Sequence, residues 1–179
     1  GSGMDSKLDG YFPEYTTADT RRRCQLSAPI GMSVLGLAHQ AAQPVNWTHM
    51  ADLARYRVGV VNGYVNTDAF DAAVSAGILR VDGASSDESN LRKLLRERID
   101  VAVIDREVMG YLLAEPALRN QAGQLAFHPH WLGELPLRVC FRHGARLQPI
   151  LAAMQAHRLP AAQLRAGQRD YLRQLAEQR

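Results

Sequence analysis

Short apolar, β-branched runs in the middle of the chain each end at a polar position. One run over 58–61 leads into Asn62-Gly63, and another over 101–104 ends at Asp105. Runs of this length are typical of parallel strands that are covered on both faces. Ligands of such sheets bind at the carboxyl ends of the strands, where helix N-termini and loop backbone converge. The stretch 57–105 therefore predicts the edge that carries function.

Helical patterns alternate with these strands. Asn66 or Thr67 is placed to cap a helix that ends at Gly77, a residue type suited to a helix C-terminus. A strand over 78–81 follows, and the next helix opens at Ser89. This βαβα order predicts a parallel sheet with right-handed crossovers.

The flanking segments predict further elements. A strand over 8–15 stops regular pairing at Pro13, and an arginine-rich helix follows over 16–23. Strands are predicted over 32–38 and 135–142, the second with Leu137, Val139 and Phe141 on one buried face. Helices are predicted over 48–54 with Thr48 as the cap, over 106–114 with Val108, Leu112 and Leu113 inward, over 148–156 and over 161–176.

Composition limits the classes of protein that fit. With 179 residues, 46% hydrophobic and 22% charged, the chain can build one ordinary core or two small lobes, which argues against disorder. No apolar run approaches the roughly 18–20 residues that cross a bilayer. The net charge is only +3, and Arg21-Arg22-Arg23 is the single basic triplet. Because nucleic-acid binding needs clustered basic residues, no nucleic-acid partner is predicted.

The residues usual in metal and cofactor sites are sparse. Cys24 and Cys140 lack metal-ligand spacing, so they either pair in an oxidising compartment or remain two buried thiols. His128 and His130 have no third ligand nearby, and we predict no metal. Gly63 stands alone after its strand, without the glycines of a dinucleotide or phosphate loop. No cofactor and no catalytic motif is therefore predicted.

The remaining polar groups suit a small zwitterion. Backbone N–H groups at the start of the Thr67 helix can accept a carboxylate, and an arginine can hold the same anion through two hydrogen bonds. Asp105, at the end of a buried strand, can bind an ammonium group. The alternative for Asp105 is to cap the helix that follows it.

Five short motifs follow one another along the chain in a characteristic order. They are Leu8-Asp9-Gly10, Thr16-Thr17-Ala18-Asp19-Thr20-Arg21-Arg22, Leu26-Ser27-Ala28-Pro29-Ile30, the 57–63 segment and the 98–105 segment. In this order they resemble the family 3 extracellular solute-binding proteins, periplasmic receptors for polar amino acids that feed ABC importers. The resemblance covers about 8–142. It implies an α/β fold of the periplasmic binding protein type II kind, with a complete lobe 2 over 55–137 and a truncated lobe 1 over 5–54 and 138–179.

The resemblance also implies roles for individual residues. It places the α-carboxylate on Arg21, or on Arg22 if the alignment slips by one, and the α-amino group on Asp105. Asn66 or Thr67, after Gly63, matches the position of a polar residue that contacts the ligand. Glu14, Tyr15 and Thr16 match the residues of the first lobe that contact the ligand. Because Glu14 stands where many relatives carry a small hydroxyl residue, a cationic amino acid is one expected ligand.

The implied function is a non-enzymatic solute-binding protein for a polar or cationic amino acid, with an ABC permease as partner and the periplasm as location. Gly1-Ser2-Gly3 ahead of Met4 is typical of a cloning remnant, so a missing leader says nothing about location. The family's opening βαβα segment has no counterpart before Leu8. A truncated lobe 1 would expose apolar surface, which predicts a homo-oligomer or a strand-exchanged dimer.

Two other functions stay open. Cyclohexadienyl dehydratases share the scaffold, and a dehydration here would use Glu14 as the acid or base. A sensor or interaction module would instead bind a partner, or another copy of itself, through the exposed surface of lobe 1.

Overall fold

The structure is a computed structural model that describes residues 9–143 and 147–177. Its strands are β1 (Gly10–Glu14), β2 (Gln25–Leu26), β3 (Gly31–Gln40), β4 (Val58–Val61), β5 (Val81–Ala84), β6 (Val101–Asp105), β7 (Leu125–Phe127) and β8 (Gly133–Phe141). Its α-helices are α1 (Ala18–Arg23), α2 (Asp68–Ser75), α3 (Asp87–Leu95), α4 (Arg106–Ala114), α5 (Gln148–Ala156) and α6 (Ala161–Glu177). Two 3₁₀-helices cover Met50–Arg55 and Arg119–Gln124.

The chain divides into two compact units. The first contains Gly1–Ser33 and Leu135–Arg179, and the second contains Val34–Glu134. The chain passes from one unit to the other inside β3 and inside β8. Residues 34–54 were expected in the first lobe, but they lie in the second unit because β3 hydrogen-bonds to β6 and β7 over 35–40.

The second unit is built on a mixed sheet with the strand order β7-β3-β6-β4-β5. Strand β4 runs parallel to both β5 and β6, as the βαβα pattern predicted. Strand β3 runs antiparallel to β6, with Leu35 opposite Asp105 and Leu37 opposite Val103. Helices α3 and α4 pack on this sheet around a core that includes Leu91, Leu94, Ile99, Ala102, Ile104 and Met109.

Several local predictions for the second unit were wrong by a few residues. Strand β5 begins at Val81, where the predicted strand was to end, because Ile78 N–H and Leu79 N–H both donate back to Ala73 O after the left-handed Gly77. Helix α3 begins at Asp87 with Ser86 as its cap, three residues before the predicted Ser89. Ser86 is the cap because its hydroxyl accepts a hydrogen bond from the Ser89 N–H.

Two other predicted positions differ. Val108 was expected to face inward from α4, but it is 40% exposed, and Met109 is the buried residue of that turn. Thr48 was expected to cap a helix over 48–54, but the segment is a 3₁₀-helix whose cap is His49. The carboxylate of Asp52 reaches back to accept the N–H groups of both Thr48 and His49, which sets the start one residue later.

The first unit is organised around β8. Strands β1 and β2 both pair antiparallel with β8, with Tyr11 and Leu26 opposite Cys140. Pro13 lies inside β1 rather than ending it, and the pairing is irregular between Tyr11 and Glu14. Cys24, at the end of α1, forms a disulfide with Cys140, so of the two alternatives for the cysteines the structure has the pair.

The predicted single buried face of β8 is not observed. Leu137, Val139 and Phe141 are half-buried like their neighbours, and the fully buried position is Cys140 on the opposite parity. Cys140 is covered because two strands and the disulfide meet at it.

No helix in the part of the chain that the structure describes has both the length and the apolar content to cross a membrane.

Candidate ligand-binding site

The carboxyl ends of three parallel strands form one edge of the second unit. Strands β4, β5 and β6 run in the same direction, and each is followed by a helix that begins within a few residues. The helix caps are Thr67 for α2, Ser86 for α3 and Asp105 for α4. Because each helix start carries unpaired N–H groups and partial positive charge, this edge is suited to bind polar and charged ligands.

Thr67 rather than Asn66 is the cap of α2. The Thr67 hydroxyl accepts the Phe70 N–H at 3.3 Å, and its side chain is buried. Asn66 is held by Asp71, whose two carboxylate oxygens accept the Asn66 backbone and side-chain N–H groups, each at 3.1 Å. The two candidates are therefore adjacent in the chain, but Asn66 is engaged with α2 itself.

Asp105 caps α4. One of its carboxylate oxygens accepts the N–H groups of Glu107 at 2.7 Å and Val108 at 3.0 Å. The alternative of a helix cap is thus confirmed, and a ligand contact by the same carboxylate stays a prediction.

Asp87 is a second carboxylate at this edge, and the sequence reasoning missed it. Its side chain is half-buried at the start of α3. Burial raises the pKa of Asp87, and the nearby charge of Asp105 raises it further. Ser85-Ser86, directly ahead of Asp87, could have indicated a helix start at Asp87. The prediction that the helix starts at Ser89 placed Asp87 outside the helix instead.

An aromatic residue, Trp131, also lies in the second unit near these groups. The guanidinium of Arg106 lies 5.5 Å from the centre of the Trp131 ring, and Arg106 pairs with Glu107 at 3.0 Å. The next residue, Leu132, donates its N–H to Leu35 O, and Leu35 faces Asp105 across the sheet. Trp131, 42% exposed, was not singled out from the sequence.

The histidine pair belongs to a different cluster. His128 Nδ1 accepts the Trp47 indole N–H at 3.2 Å and the His130 backbone N–H at 3.0 Å. The His130 ring stacks on Trp47 with the ring centres 4.2 Å apart. Among the described residues no group of three or more His, Cys, Asp or Glu side chains is arranged to hold a metal ion.

Glu14 and Tyr15 of the first unit are engaged with their neighbours. The Glu14 carboxylate accepts the Tyr11 hydroxyl at 2.7 Å and the Tyr15 backbone N–H at 3.1 Å. Burial and this carboxylate raise the pKa of Tyr11. The Tyr15 hydroxyl is hydrogen-bonded to Ser33 Oγ at 2.8 Å. Both oxygens of Glu14 therefore already accept hydrogen bonds within the unit.

The other predicted residues of the first unit are Thr16, Arg21 and Arg22. The Thr16 hydroxyl is buried and has no hydrogen-bond partner among the described residues. Arg21 and Arg22 are exposed in the last turn of α1, which a Thr17–Thr20 capping box starts. Five of the eight predicted site residues thus lie on the first unit and three on the second, and their meeting at a single ligand stays a prediction.

Comparison with known proteins gives structural similarity without sequence similarity. No protein-family model matches the chain, and no curated protein matches it. The holo arginine-binding protein ArgBP from T. maritima aligns with a TM-score of 0.64 and 16% identity over 84% of this chain and 62% of that one. The GluR0 ligand-binding core in complex with L-glutamate aligns with a TM-score of 0.64 and 17% identity over 93% of this chain and 69% of that one.

A histidine kinase sensor domain with similarity to periplasmic binding proteins aligns with a TM-score of 0.65 and 17% identity, over 93% of this chain and 68% of that one. The predicted α/β fold of the periplasmic binding protein type II kind is therefore confirmed. The chain spans 62% of the length of ArgBP. Identities this low show the fold alone, because one fold serves many functions.

Proposed function

We propose that this chain is a non-enzymatic binding protein for a small amino acid or a similar zwitterion. The observation that carries the proposal is that α2, α3 and α4 all begin at the carboxyl ends of the parallel strands β4, β5 and β6, with the carboxylates of Asp87 and Asp105 at two of these helix starts. Two neighbouring carboxylates repel each other, and a ligand ammonium group between them would relieve that repulsion. Structures with this fold include an arginine-binding protein and a glutamate complex, which supports a ligand of this class.

The carboxylate of the ligand has two candidate partners. One is the start of α2, where the N–H groups after Thr67 carry partial positive charge. The other, predicted from the family resemblance alone, is the guanidinium of Arg21. An arginine can bind a carboxylate through two parallel hydrogen bonds.

Thermal-shift screening against the twenty common amino acids tests the proposal. A ligand at 100 times its Kd stabilises the native state by about 2.7 kcal/mol, which raises the melting temperature measurably. The informative variant is Asp105→Ser, since serine keeps a cap for α4 while it removes the carboxylate. We expect Asp105→Ser to lose the shift.

The matched control is Asp82→Ser. Asp82 lies on β5 of the same unit, pairs with Lys93 at 2.7 Å and is half-exposed. This variant should keep the full ligand-induced shift. A screen in which no amino acid stabilises the parent protein, or in which Asp105→Ser responds like the parent, contradicts the proposal.

Delivery to an ABC permease in the periplasm is the cellular role that we propose. The Cys24–Cys140 disulfide supports an oxidising compartment, because disulfides persist in the periplasm and are rare in the cytosol. The measurement is stimulation of the ATPase of a reconstituted amino-acid importer by the liganded protein. Stimulation by the ligand alone would contradict this role.

A ligand sensor is the second candidate. It is favoured by the likeness to the histidine kinase sensor domain, which extends over 93% of this chain. The dehydratase alternative needs Glu14 for proton transfer, and both of its oxygens already accept hydrogen bonds. Turnover of prephenate or arogenate would establish the enzyme, whereas binding without turnover or importer stimulation would favour the sensor.

Self-association is part of the proposal. Large apolar side chains of the first unit are exposed around α5 and α6: Ile150, Leu159 and Tyr171 are each about half-exposed or more. Exposed apolar patches favour association. We expect light scattering at micromolar concentration to give the mass of a dimer or larger species, with Tyr171→Lys shifting it toward monomer. A monodisperse monomer would contradict this part.

A further inference from the structure

A tryptophan and three histidines pack together within the second unit. Trp47 is 7% exposed, and its ring stacks on the His130 ring with the ring centres 4.2 Å apart. The centre of the His128 ring lies 6.0 Å from that of Trp47 and 5.9 Å from that of His39 on β3. The proposed binding of a ligand uses none of these four side chains.

The hydrogen bonds of His128 define which of its ring nitrogens carries the hydrogen. Its Nε2 lies 3.0 Å from the carbonyl oxygen of Val45, which can only accept, so Nε2 is the donor. Its Nδ1 accepts the Trp47 indole N–H at 3.2 Å and the His130 backbone N–H at 3.0 Å. Because both of these partners are donors, Nδ1 holds a lone pair and the ring is neutral in this arrangement.

A proton on His128 Nδ1 would exchange its partners. The new N–H cannot accept a hydrogen bond from Trp47, whereas the carbonyl oxygen of His130, 3.1 Å from Nδ1, can accept one from it. The bond to Val45 persists, since Nε2 remains a donor. The buried indole N–H would then face another donor, which costs free energy for as long as Trp47 stays in place. The charged ring therefore favours a conformation of the loop 41–49 in which Trp47 has moved away.

The other titratable groups around His128 do not offset the added charge. Its ring partners in the described part of the chain are N–H groups, carbonyl oxygens and aromatic rings, and no carboxylate is among them. A proton on His39 would add a like charge. Asp52, the acid of the 3₁₀-helix after the loop, accepts the backbone N–H groups of Thr48 and His49, each at 2.9 Å, and lies 3.9 Å from the His49 ring.

His130 responds differently to a proton. Its Nδ1 lies 3.4 Å from the carbonyl oxygen of Trp47, so Nδ1 is the donor in the neutral ring. A further proton would join Nε2, which breaks neither this hydrogen bond nor the stacking on Trp47. Of these two histidines, only His128 must give up a hydrogen bond from Trp47 when it becomes charged.

The segment 128–133 leads from this cluster to the candidate site. At its end, a Cβ on Gly133 would lie 3.0 Å from Thr67 Cγ2, so the glycine packs on the start of α2. Within the segment, the Trp131 ring lies 5.5 Å from the guanidinium of Arg106 at the start of α4. The histidine cluster is therefore joined by one short segment to two of the helix starts at the candidate site.

We infer that His128 is a proton switch, which holds the loop 41–49 closed when neutral and releases Trp47 when charged. The neutral ring accepts the indole N–H through Nδ1, and the charged ring donates to the His130 carbonyl instead. Histidine is the side chain whose charge ordinarily changes between about pH 5 and pH 8, so acidification over that range is the trigger. The switch needs no bound ligand and is independent of the proposed function.

Fluorescence of Trp131→Phe tests the inference, because Trp47 is then the single tryptophan of the chain. We expect the emission maximum to lie at longer wavelength at pH 5 than at pH 8, since the released indole meets water. Adding His128→Asn should abolish this shift, because the asparagine carbonyl can accept the same N–H groups and takes up no proton. The maximum is the readout rather than the intensity, since a charged His130 could quench the stacked indole without exposing it.

The matched controls are His130→Gln and His39→Asn, which remove the other two titrating rings of the cluster and should keep the shift. Circular dichroism at both pH values establishes that each variant is folded. A second measurement uses the parent protein, in which nuclear magnetic resonance observes the indole N–H directly. Protection of the Trp47 indole N–H from solvent exchange should fall at least 10-fold between pH 8 and pH 5.

Two kinds of result overturn the inference. One is an emission maximum and an indole protection that do not change with pH, or that change equally in His128→Asn. The other is loss of the shift in His130→Gln or His39→Asn, which would place the titrating group elsewhere. Loss of the whole fold at pH 5 would also overturn it, because the switch moves a loop within a folded unit.

Discussion

At the scale of single residues, Gly59 on β4 lies where α3 packs on the sheet. A Cβ at this position would lie 2.5 Å from Ile99 Cδ1 and 2.7 Å from Asn90 Oδ1. Asn90 is fully buried, and its amide oxygen and nitrogen have no partners among the described residues. The space between β4 and α3 is therefore filled, and the Asn90 side chain has no route to solvent by which it could make room for a new Cβ.

We expect Gly59→Ala to destabilise the protein by about 1–3 kcal/mol, the usual cost of overpacking a core. The matched control is Gly110→Ala on α4, where a new Cβ meets nothing within 4 Å. Because alanine is the better helix former, Gly110→Ala should stabilise the protein by up to about 1 kcal/mol. Urea denaturation of both variants measures the two changes, and equal effects would refute the packing argument.

At the scale of elements, an ion pair joins the starts of two neighbouring parallel strands. Asp100 precedes β6, and its carboxylate accepts the Arg57 backbone N–H at 2.7 Å and the Arg57 side chain at 3.0 and 2.7 Å. The hydrogen bonds from Arg57 hold the pKa of Asp100 below its ordinary value of 3.8. The pair thus fixes β4 beside β6 at the edge opposite the candidate site.

A carboxyl group whose pKa is lower in the folded than in the unfolded protein stabilises the fold at pH values above the unfolded-state pKa. This stabilisation is lost as the pH falls through the folded-state pKa. We therefore expect Asp100→Asn to be less stable than the parent at pH 7, by at most about 1 kcal/mol because the pair is partly exposed. The difference should shrink below pH 3.8. Thermal melts between pH 7 and pH 2.5 measure it, and a difference that grows toward acid would contradict the assignment.

At the scale of the whole molecule, the Cys24–Cys140 disulfide closes a loop with a sequence separation of 116 residues. The loop contains all of the second unit, while both cysteines belong to the first. Cross-linking so long a loop restricts the unfolded chain, which stabilises the native state by roughly 3–5 kcal/mol in the chain-entropy account.

We expect Cys24→Ala combined with Cys140→Ala to lower the free energy of unfolding by that amount, about 3–5 kcal/mol. Urea denaturation of the oxidised parent and of the double variant measures the loss. The parent denatured under reducing conditions is the control and should match the double variant. An unchanged midpoint in all three would mean that the disulfide adds nothing to stability.

Local patterns predicted much of the second unit. The apolar runs placed β4 and β6, and the cap candidates placed the starts of α2, with Asn66 or Thr67, and of α4, with Asp105 as the alternative to a ligand contact, because periodicity and capping act within a few residues. The prediction was wrong where two candidate helix caps lie close together in the sequence. Ser86 and Ser89 both suit a helix start, and their competition moved α3 and concealed Asp87.

The sequence by itself determined the fold class, the parallel strands and the polar residues at their carboxyl ends. Only the tertiary structure decided that Asp87 lies at the start of α3, at the same edge as Asp105, and that both oxygens of the Glu14 carboxylate accept hydrogen bonds from Tyr11 and Tyr15. It also decided the pairing of Cys24 with Cys140. The physical reason is that these contacts depend on which strands are neighbours and on their register. Both are determined by interactions between residues that are far apart in the chain.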